Sequence, residues 1–327
     1  MVEMSPIPDE ILDRLKERPR RPAYSSLARH IQEGKFVFTG ELEPVKTVGV
    51  EELIHSATAM KEYIIAANVT DGPQGMAYFS GLAASFRIQE ATGVEVVYQM
   101  TVRDRNRVAL TADVLGAAQL GIKNILTLSG DHTALGDNYG ARPVYDLDSA
   151  QFVWLLSRII DEGVDAHGNR ITGKVEMNVG MAANPMSTPM EAEILKIERK
   201  VLLGADFVQT QTMYDVELTK EFLKATEYLR VPILIGIFPV KNYGIAAYFN
   251  KYIPGVSVPE PLFSELKRCS KIADKKERNA AYDRVNLEFF EPFIKEIRKT
   301  TKAAGIHCMA VHYERLMGPL RKAVDSA

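Results

Sequence analysis

The sequence predicts an α/β fold, and within that class a (β/α)8 TIM barrel preceded by an N-terminal extension. From residue 36 onward, short β-branched runs alternate with longer stretches of helical spacing, which is typical of βαβ units and a parallel sheet. About eight such runs occur, and eight is the number of strands that closes this barrel. A chain of 327 residues also has the length that such a barrel needs.

The predicted strands are apolar runs without strict alternation, as expected for strands buried on both faces. In chain order they are FVFTGEL, YIIAANVT, VEVVYQM and NILTLS, then residues 174–181, 206–211, 232–238 and 305–311. Apolar residues at helical spacing predict a helix over 51–62. A Ser-Thr-Pro start predicts another over 188–203, and a long charged amphipathic stretch predicts a third over 275–304.

The chain divides into a short extension and one large domain. No linker rich in Gly, Ser or Pro interrupts the βα alternation. We therefore expect residues 1–35 to form an N-terminal extension, with a short helix around residues 9–17. Residues 36–327 are expected to form the catalytic barrel.

Composition narrows the possible functions. The chain has 40 Lys+Arg against 42 Asp+Glu, a net charge of −2, which gives no whole-molecule field for binding nucleic acid. No apolar run approaches the ~20 residues of a membrane span, and the polar N-terminus lacks the apolar core of a signal peptide. Two cysteines cannot build a disulfide framework or a four-thiolate cluster. We expect a cytoplasmic protein that binds neither nucleic acid nor membrane.

The residues that could do chemistry lie at predicted strand ends, where barrel active sites are found. Glu41 ends the first strand within an apolar run, where an ionised carboxylate is costly and a protonated one could act as a general acid. Two alternatives stay open at this point. Glu41 could pair with an Arg or Lys across the barrel, and Glu43, which has the same parity, could take the catalytic role instead.

Other strand ends offer further polar groups. Asp131 could be catalytic or could cap the next segment, and Gln211 could bind a ligand or be satisfied within its strand. The loop 103–106 and the pair Arg199-Lys200 could bind phosphate or form a solvated face.

The histidines show no metal-ligand spacing, so no metal site is expected, and His307 with Cys308 is expected to be a buried structural pair. Neither GxGxxG nor a P-loop occurs.

Seven short motifs follow one another at the predicted strand ends: GELEP, NVTD, TVRDRN, LSGD, RKVLLGADF, QTQ and GIFPV. In this order, over roughly residues 36 to 320, the sequence resembles the methylenetetrahydrofolate reductase family, most closely its single-domain prokaryotic form.

The resemblance implies a barrel that holds FAD and passes a hydride to 5,10-methylenetetrahydrofolate, giving 5-methyltetrahydrofolate. It implies that Glu41 is the general acid, that Asp131 acts near the flavin and the folate, and that Gln211 and Tyr243 bind the substrate. The positions implied to contact the flavin are Thr70, Gln99, Gly130, Asp131, Tyr145, Asn184, Arg199 and Lys200. Gln99 and Asn184 stand where relatives carry histidines, and Ser129 where many carry an arginine.

The resemblance leaves the electron donor and the assembly open. NAD(P)H could reduce the flavin at the same face, or a partner subunit carrying iron–sulfur clusters could deliver electrons. Either a homo-oligomer or a hetero-complex is consistent with this. Alternatives are FMN in place of FAD, a flavin-independent barrel lyase or transferase acting on a pterin, and a catalytically idle barrel that serves as a scaffold.

Overall fold

The eight strands close into a parallel barrel in sequence order, β1 to β8. The computed structural model describes residues 7–253 and 256–327. Each strand pairs in parallel with the next, and β8 pairs with β1. The strands are β1 (Val37–Leu42), β2 (Ala67–Val69), β3 (Val96–Thr101), β4 (Asn124–Leu128), β5 (Asn178–Ala183), β6 (Phe207–Thr212), β7 (Ile233–Ile237) and β8 (Gly305–Cys308). The prediction of a (β/α)8 barrel is confirmed.

Helices follow the strands and cover the outside of the barrel. They are α1 (Asp9–Glu17), α2 (Ser26–Gln32), α3 (Glu51–Met60), α4 (Gly81–Thr92), α5 (Arg107–Gln119), α6 (Ser149–Ser157), α7 (Met190–Leu202), α8 (Val216–Ala225), α9 (Tyr243–Tyr252), α10 (Glu260–Cys269), α11 (Lys275–Thr300) and α12 (Met317–Asp325). Within the described ranges, no helix is long and apolar enough to cross a membrane.

The start of α7 differs from the sequence prediction. Ser187-Thr188 does not cap the helix, because Pro189 occupies the N-cap position in extended conformation and makes no capping hydrogen bond. The first turn carries Glu191 and Glu193 instead. Negative side chains there interact favourably with the positive end of the helix dipole.

The barrel interior has an apolar lower part and a polar upper part. Side chains at alternate positions of each strand point inward. The lower part is filled by Val37, Ala66, Val97, Leu126, Phe207 and Leu234, and Leu27 from α2 packs against them from below. The opposite ends of the strands open into the C-terminal face, which we call the mouth. Packed apolar side chains therefore fill the barrel interior below the mouth and leave no channel among the described residues.

The N-terminal helices are fastened to the lower face by ionic contacts. Arg21, with a side chain only 4% exposed, forms ion pairs with Asp161 and Asp206. Glu95 accepts hydrogen bonds from the backbone N–H groups of Ser26 and Leu27 at 2.7 and 2.9 Å, which caps the start of α2. Residues 1–6 of the expected extension lie outside the described part of the chain.

Candidate functional site

Glu41 lies at the mouth end of β1 and contacts two polar side chains from other strands. Its Oε2 accepts a hydrogen bond from Gln99 Nε2 of β3 at 3.1 Å and lies 3.4 Å from His307 Nε2 of β8. The other ring nitrogen of His307 lies 3.0 Å from Thr39 Oγ1. Glu41 is 12% exposed, and no Arg or Lys in residues 7–253 or 256–327 pairs with it. The alternative of a cross-barrel ion pair is therefore wrong.

Neighbouring β8 residues point in opposite directions. His307 faces the barrel interior and Glu41, whereas Cys308 packs in the apolar core beneath the helices. Burial raises the pKa of the Cys308 thiol. The two residues are both buried, as expected, but His307 belongs to the polar group around Glu41 and Cys308 does not.

A pair of amides lies beside this group inside the barrel. Asn68 of β2 and Gln209 of β6 exchange two hydrogen bonds, of 2.7 and 3.1 Å, and both side chains are buried. Each amide thereby satisfies donor and acceptor groups that would be costly to bury unpaired. The pair fixes the position of two strands that carry candidate site residues at their next inward positions, Thr70 and Gln211.

Glu43 is the second carboxyl at the end of β1, and its surroundings differ from those of Glu41. Burial raises its pKa to about 7, and the negative charge of Glu41 adds to the rise. No hydrogen bond or ion pair to the described residues opposes this. Its side chain lines a cavity of about 250 Å³, whose other charged or titratable lining groups are Glu51, Glu52 and His312. Glu43 can thus hold a proton near neutrality. From the sequence it was expected only as the alternative to Glu41 for the catalytic role.

Asp131 follows β4 and fastens to a neighbouring loop. Its Oδ2 accepts a hydrogen bond from Gln74 N at 2.6 Å. The following helical turn, Thr133–Leu135, is capped by His132 instead. The interpretation of Asp131 as a helix cap is therefore wrong. Gln74 has a positive φ of 56° and accepts a 2.9 Å hydrogen bond from Tyr248 of α9, so the loop joins two sides of the mouth.

The two arginines after β3 hold loops together. Arg103, 3% exposed, donates to the carbonyl oxygens of Gly72 and Asp131. Arg105 forms ion pairs with Asp71 at 2.6 Å and Asp113 at 2.8 Å. Their guanidinium groups are occupied by these contacts, so the structure does not favour this loop as a phosphate grip.

Three of the expected flavin positions lie at the ends of β2 and β4 or in the following loop. Thr70 is buried, and its hydroxyl has no hydrogen-bond partner in the described part of the chain. Gly130 has a φ of 79°, and a Cβ there would lie 3.0 Å from the Thr101 side chain, so a larger residue would be both strained and crowded. Tyr145, in the same β4 loop, is 40% exposed and has a φ of 40°. A buried hydroxyl without a partner at the end of β2 and a backbone without a side chain after β4 both fit a polar ligand.

The remaining expected flavin positions form a basic cluster on α7 and the end of β5. Arg199 pairs with Asp148 at 3.3 Å. Burial lowers the pKa of Lys200, against the opposing charges of Glu193 and Asp148. Asn184 N donates to Glu193 at 2.9 Å, which ties the β5 end to the same helix. The desolvated ammonium of Lys200 is suited to an anionic group such as a diphosphate. The residues present therefore fit the flavin nucleotide that the motifs imply.

The two residues expected to bind the substrate differ in how free their side chains are to contact a ligand. Gln211 accepts a hydrogen bond from Thr212 N at 2.9 Å through Oε1, and its amide nitrogen donates to none of the described residues. Tyr243 instead packs against Phe263, with ring centroids 5.1 Å apart, at the edge of the apolar cluster around α9 to α11. Gln211 has a free donor in this structure, whereas Tyr243 would have to leave its packing to reach a ligand.

Comparison with known proteins identifies the family. The model of the family described as methylenetetrahydrofolate reductase matches residues 26–324. The chain belongs to the methylenetetrahydrofolate reductase family. Methylenetetrahydrofolate reductase 2 of Schizosaccharomyces pombe is 24% identical over 306 residues, covering 89% of this chain and 46% of that protein. The 5,10-methylenetetrahydrofolate reductase of Salmonella typhimurium is 29% identical over 168 residues, covering 50% of each. The chain thus spans about half the length of these relatives, or less.

A solved structure shares the fold. An uncharacterized protein from Clostridium thermocellum that binds two copies of 5-methyl-5,6,7,8-tetrahydrofolic acid has a TM-score of 0.59 and 15% sequence identity. The match covers 91% of this chain and 97% of that protein.

In this methylenetetrahydrofolate reductase family member, three residues around the mouth went unnoticed as site residues in the sequence. His307 contacts Glu41, Gln74 contacts Asp131, and Tyr248 contacts Gln74. The inward parity of His307 in β8 was a usable signal, because Glu41 has the same orientation in the neighbouring strand. Nothing in the sequence marks Gln74 or Tyr248, whose contact joins residues 174 positions apart.

Proposed function

We propose that this chain reduces 5,10-methylenetetrahydrofolate to 5-methyltetrahydrofolate with FAD as its cofactor. The observation that carries the proposal is the Glu41 carboxyl, which lies at the mouth in contact with Gln99 and His307 and with no Arg or Lys of the described residues. Family membership over residues 26–324 supports the same reaction. A carboxyl placed in this way can give up a proton to a substrate because no Arg or Lys among the described residues holds it in the charged form.

The flavin would be held by two groups of residues. Thr70 and Gly130 would contact it at the ends of β2 and β4, and Arg199 and Lys200 would bind its diphosphate. The unpaired Thr70 hydroxyl and the unpaired Lys200 ammonium support this assignment. We assign Gln99, Asp131, Tyr145 and Asn184 to the same site. Bound reduced flavin supplies the hydride.

The residues of the chain supply the proton and the positioning. Glu41 protonates a nitrogen of the folate's five-membered ring, which opens to an iminium that can accept the hydride. The Asp131 carboxylate, at the same mouth, stabilises the positive charge of that iminium electrostatically. Gln211 offers its free amide nitrogen to an acceptor on the pterin edge, and such a contact fixes the orientation of the ring.

The electron donor is proposed to reach the flavin from the mouth as well. Among the described residues the lower part of the barrel is filled with apolar side chains, so a donor would reach a bound flavin from the mouth. NAD(P)H or a partner subunit would then act before the folate binds.

The first test is the absorption spectrum of the purified protein. We expect a flavin band that bleaches when 5-methyltetrahydrofolate is added anaerobically, since the reverse reaction reduces the flavin. A colourless protein that neither binds added FAD nor reduces methylenetetrahydrofolate would refute the proposal, and turnover of a pterin without flavin would support the lyase or transferase alternative.

The second test separates the two half-reactions in Glu41→Gln. Removal of a general acid costs roughly 10²–10⁴-fold in rate, so folate reduction should fall by that factor. Flavin reduction by the donor should be unchanged, because it requires no proton from Glu41. Glu51→Gln, which removes a carboxylate on α3, is the matched control and should leave both rates unchanged. An equal fall of both rates in Glu41→Gln would assign Glu41 a structural or flavin-supporting role.

A further inference from the structure

We propose that Glu43 stores the proton that Glu41 donates, so that the two carboxyls act as a relay between solvent and substrate. This inference rests on the proposed function, because it concerns the proton consumed in folate reduction. The structural basis is the position of an unpartnered carboxyl two residues beyond the general acid, with a cavity on its other side.

The first step of the argument is the geometry of the β1 end. Glu41 and Glu43 are separated by one residue, and side chains two apart on an extended chain point to the same side. Their backbones are about 7 Å apart, since each extended residue spans about 3.3 Å. Two glutamate side chains at that spacing can be joined by a single water molecule. The negative charge of Glu41 also raises the pKa of Glu43.

The second step is the difference between the two carboxyls. An ionised Glu41 is well satisfied, because Gln99 donates to Oε2 and His307 can donate to the same oxygen from Nε2. Glu43 has no such donor in residues 7–253 or 256–327, and burial raises its pKa to about 7. Glu43 can therefore hold a proton near neutrality, whereas Glu41 is the group placed to give one to the substrate.

The third step concerns the charged groups around Glu43. From β1 it faces Glu41, and from the loop after β2 it faces Tyr78, whose pKa is raised by burial and then by Glu43. Lys46, the nearest loop cation in sequence, is engaged by Asp137. The other titratable groups lining the cavity are Glu51 and Glu52 from α3 and His312 after β8, and His312 lies 3.8 Å from Glu52. Among these groups only Glu41 adds to the rise in the pKa of Glu43, and burial is the larger cause.

The relay balances with the overall reaction, in which the folate gains one hydride and one proton. An O–H bond of Glu43 breaks and an O–H bond of Glu41 forms through the bridging water; the Glu41 O–H bond then breaks as an N–H bond forms on the folate. Glu43 then takes a proton from water in the cavity of about 250 Å³, which is large enough to hold several water molecules. No further oxidant or reductant is required.

The experiment measures the folate half-reaction of pre-reduced enzyme against pH, in the wild type and in Glu43→Gln. In the wild type the rate should fall as the pH rises through about 7, because Glu43 loses its proton there. In Glu43→Gln the rate at pH 7 should fall at least about 10-fold and the step near pH 7 should disappear, while flavin reduction stays unchanged. Glu51→Gln, which lines the same cavity, should behave as the wild type.

Two outcomes separate the relay from the function on which it rests. If wild-type enzyme reduces methylenetetrahydrofolate and Glu43→Gln keeps both its rate and its pH profile, the relay is refuted and the reaction stands. If the wild type reduces no methylenetetrahydrofolate at all, the proposed function is refuted and the relay with it. A fall in both half-reactions without a change of pH profile would show that Glu43 is merely structural.

A second measurement needs no activity. Infrared difference spectra of the wild type should show the carbonyl band of a protonated carboxyl that is lost as the pH rises through about 7. Glu43→Gln should lack that change, and Glu51→Gln should keep it. Absence of the band in the wild type at pH 6 would overturn the assignment of a stored proton to Glu43.

Discussion

The raised pKa of Glu43 predicts that Glu43→Gln stabilises the fold at alkaline pH and much less at acidic pH. The ordinary pKa of a glutamate is 4.5, and that of folded Glu43 is about 7. Between these values the unfolded chain has released its proton while the folded one retains it. Stability contributed by the protonated carboxyl is therefore fully present below pH 4.5 and is lost as the pH rises through about 7. Above that, the folded state carries a buried, unpaired charge.

The size of the effect follows from the same two values. One pKa unit corresponds to about 1.4 kcal/mol, so the full change would be about 3 kcal/mol. Glu43 is only partly buried, and solvent screening reduces this to about 2 kcal/mol. Glutamine has nearly the same shape as a protonated glutamate but cannot ionise, so it avoids the cost at high pH.

The assay is guanidinium-induced unfolding at pH 5 and pH 8.5, with wild type, Glu43→Gln and Glu51→Gln measured in parallel. The free energy of unfolding of Glu43→Gln relative to the wild type should rise by about 2 kcal/mol between the two pH values. The Glu51→Gln difference should stay constant, because that side chain is exposed. A constant difference for Glu43→Gln as well would refute the argument that its carboxyl is held protonated by burial.

Two further predictions concern the substrate site and the N-terminal helices. Gln211→Ala should weaken folate binding by roughly 10-fold, the value of about one hydrogen bond, while flavin affinity measured by fluorescence titration stays the same; unchanged folate affinity would remove Gln211 from the site. Arg21→Met should lower the free energy of unfolding by about 3 kcal/mol, because the buried Asp206 would keep only the backbone N–H of Val179 at 2.8 Å and Arg18 at 3.6 Å. Denaturant unfolding measures this, and Arg21→Met combined with Asp206→Asn should recover part of the loss, whereas additive losses would contradict the pairing.

Much of the fold could be predicted because it depends on local pattern. The runs that became β1, β3 and β4 are rich in apolar and β-branched residues, and each precedes a stretch of helical spacing. The same pattern placed Glu41 at the end of its strand with an inward orientation. Strand ends were less certain: residues 174–177 precede β5, and residues 309–311 follow β8, because apolar runs continue beyond the paired segment.

The contacts that define the site could not be predicted in the same way. Periodicity gives the side of a strand on which a residue lies, but its partner depends on the register of strands that are distant in sequence. His307 reaches Glu41 across 266 positions and Asn68 reaches Gln209 across 141. The state of Glu43 depends on what is missing around it, namely a hydrogen-bond donor, and a sequence pattern carries no information about that.

The packing of Leu27 under the barrel determines how reactants enter and leave the site. With the apolar layer above it, this residue closes the barrel from below, so the mouth is both the entrance and the exit for any molecule that reaches the polar residues. Two reactants that need the same opening must take turns, and each must depart before the other arrives. An excess of either reactant would then slow turnover. The reaction rate would pass through a maximum as the concentration of that reactant rises.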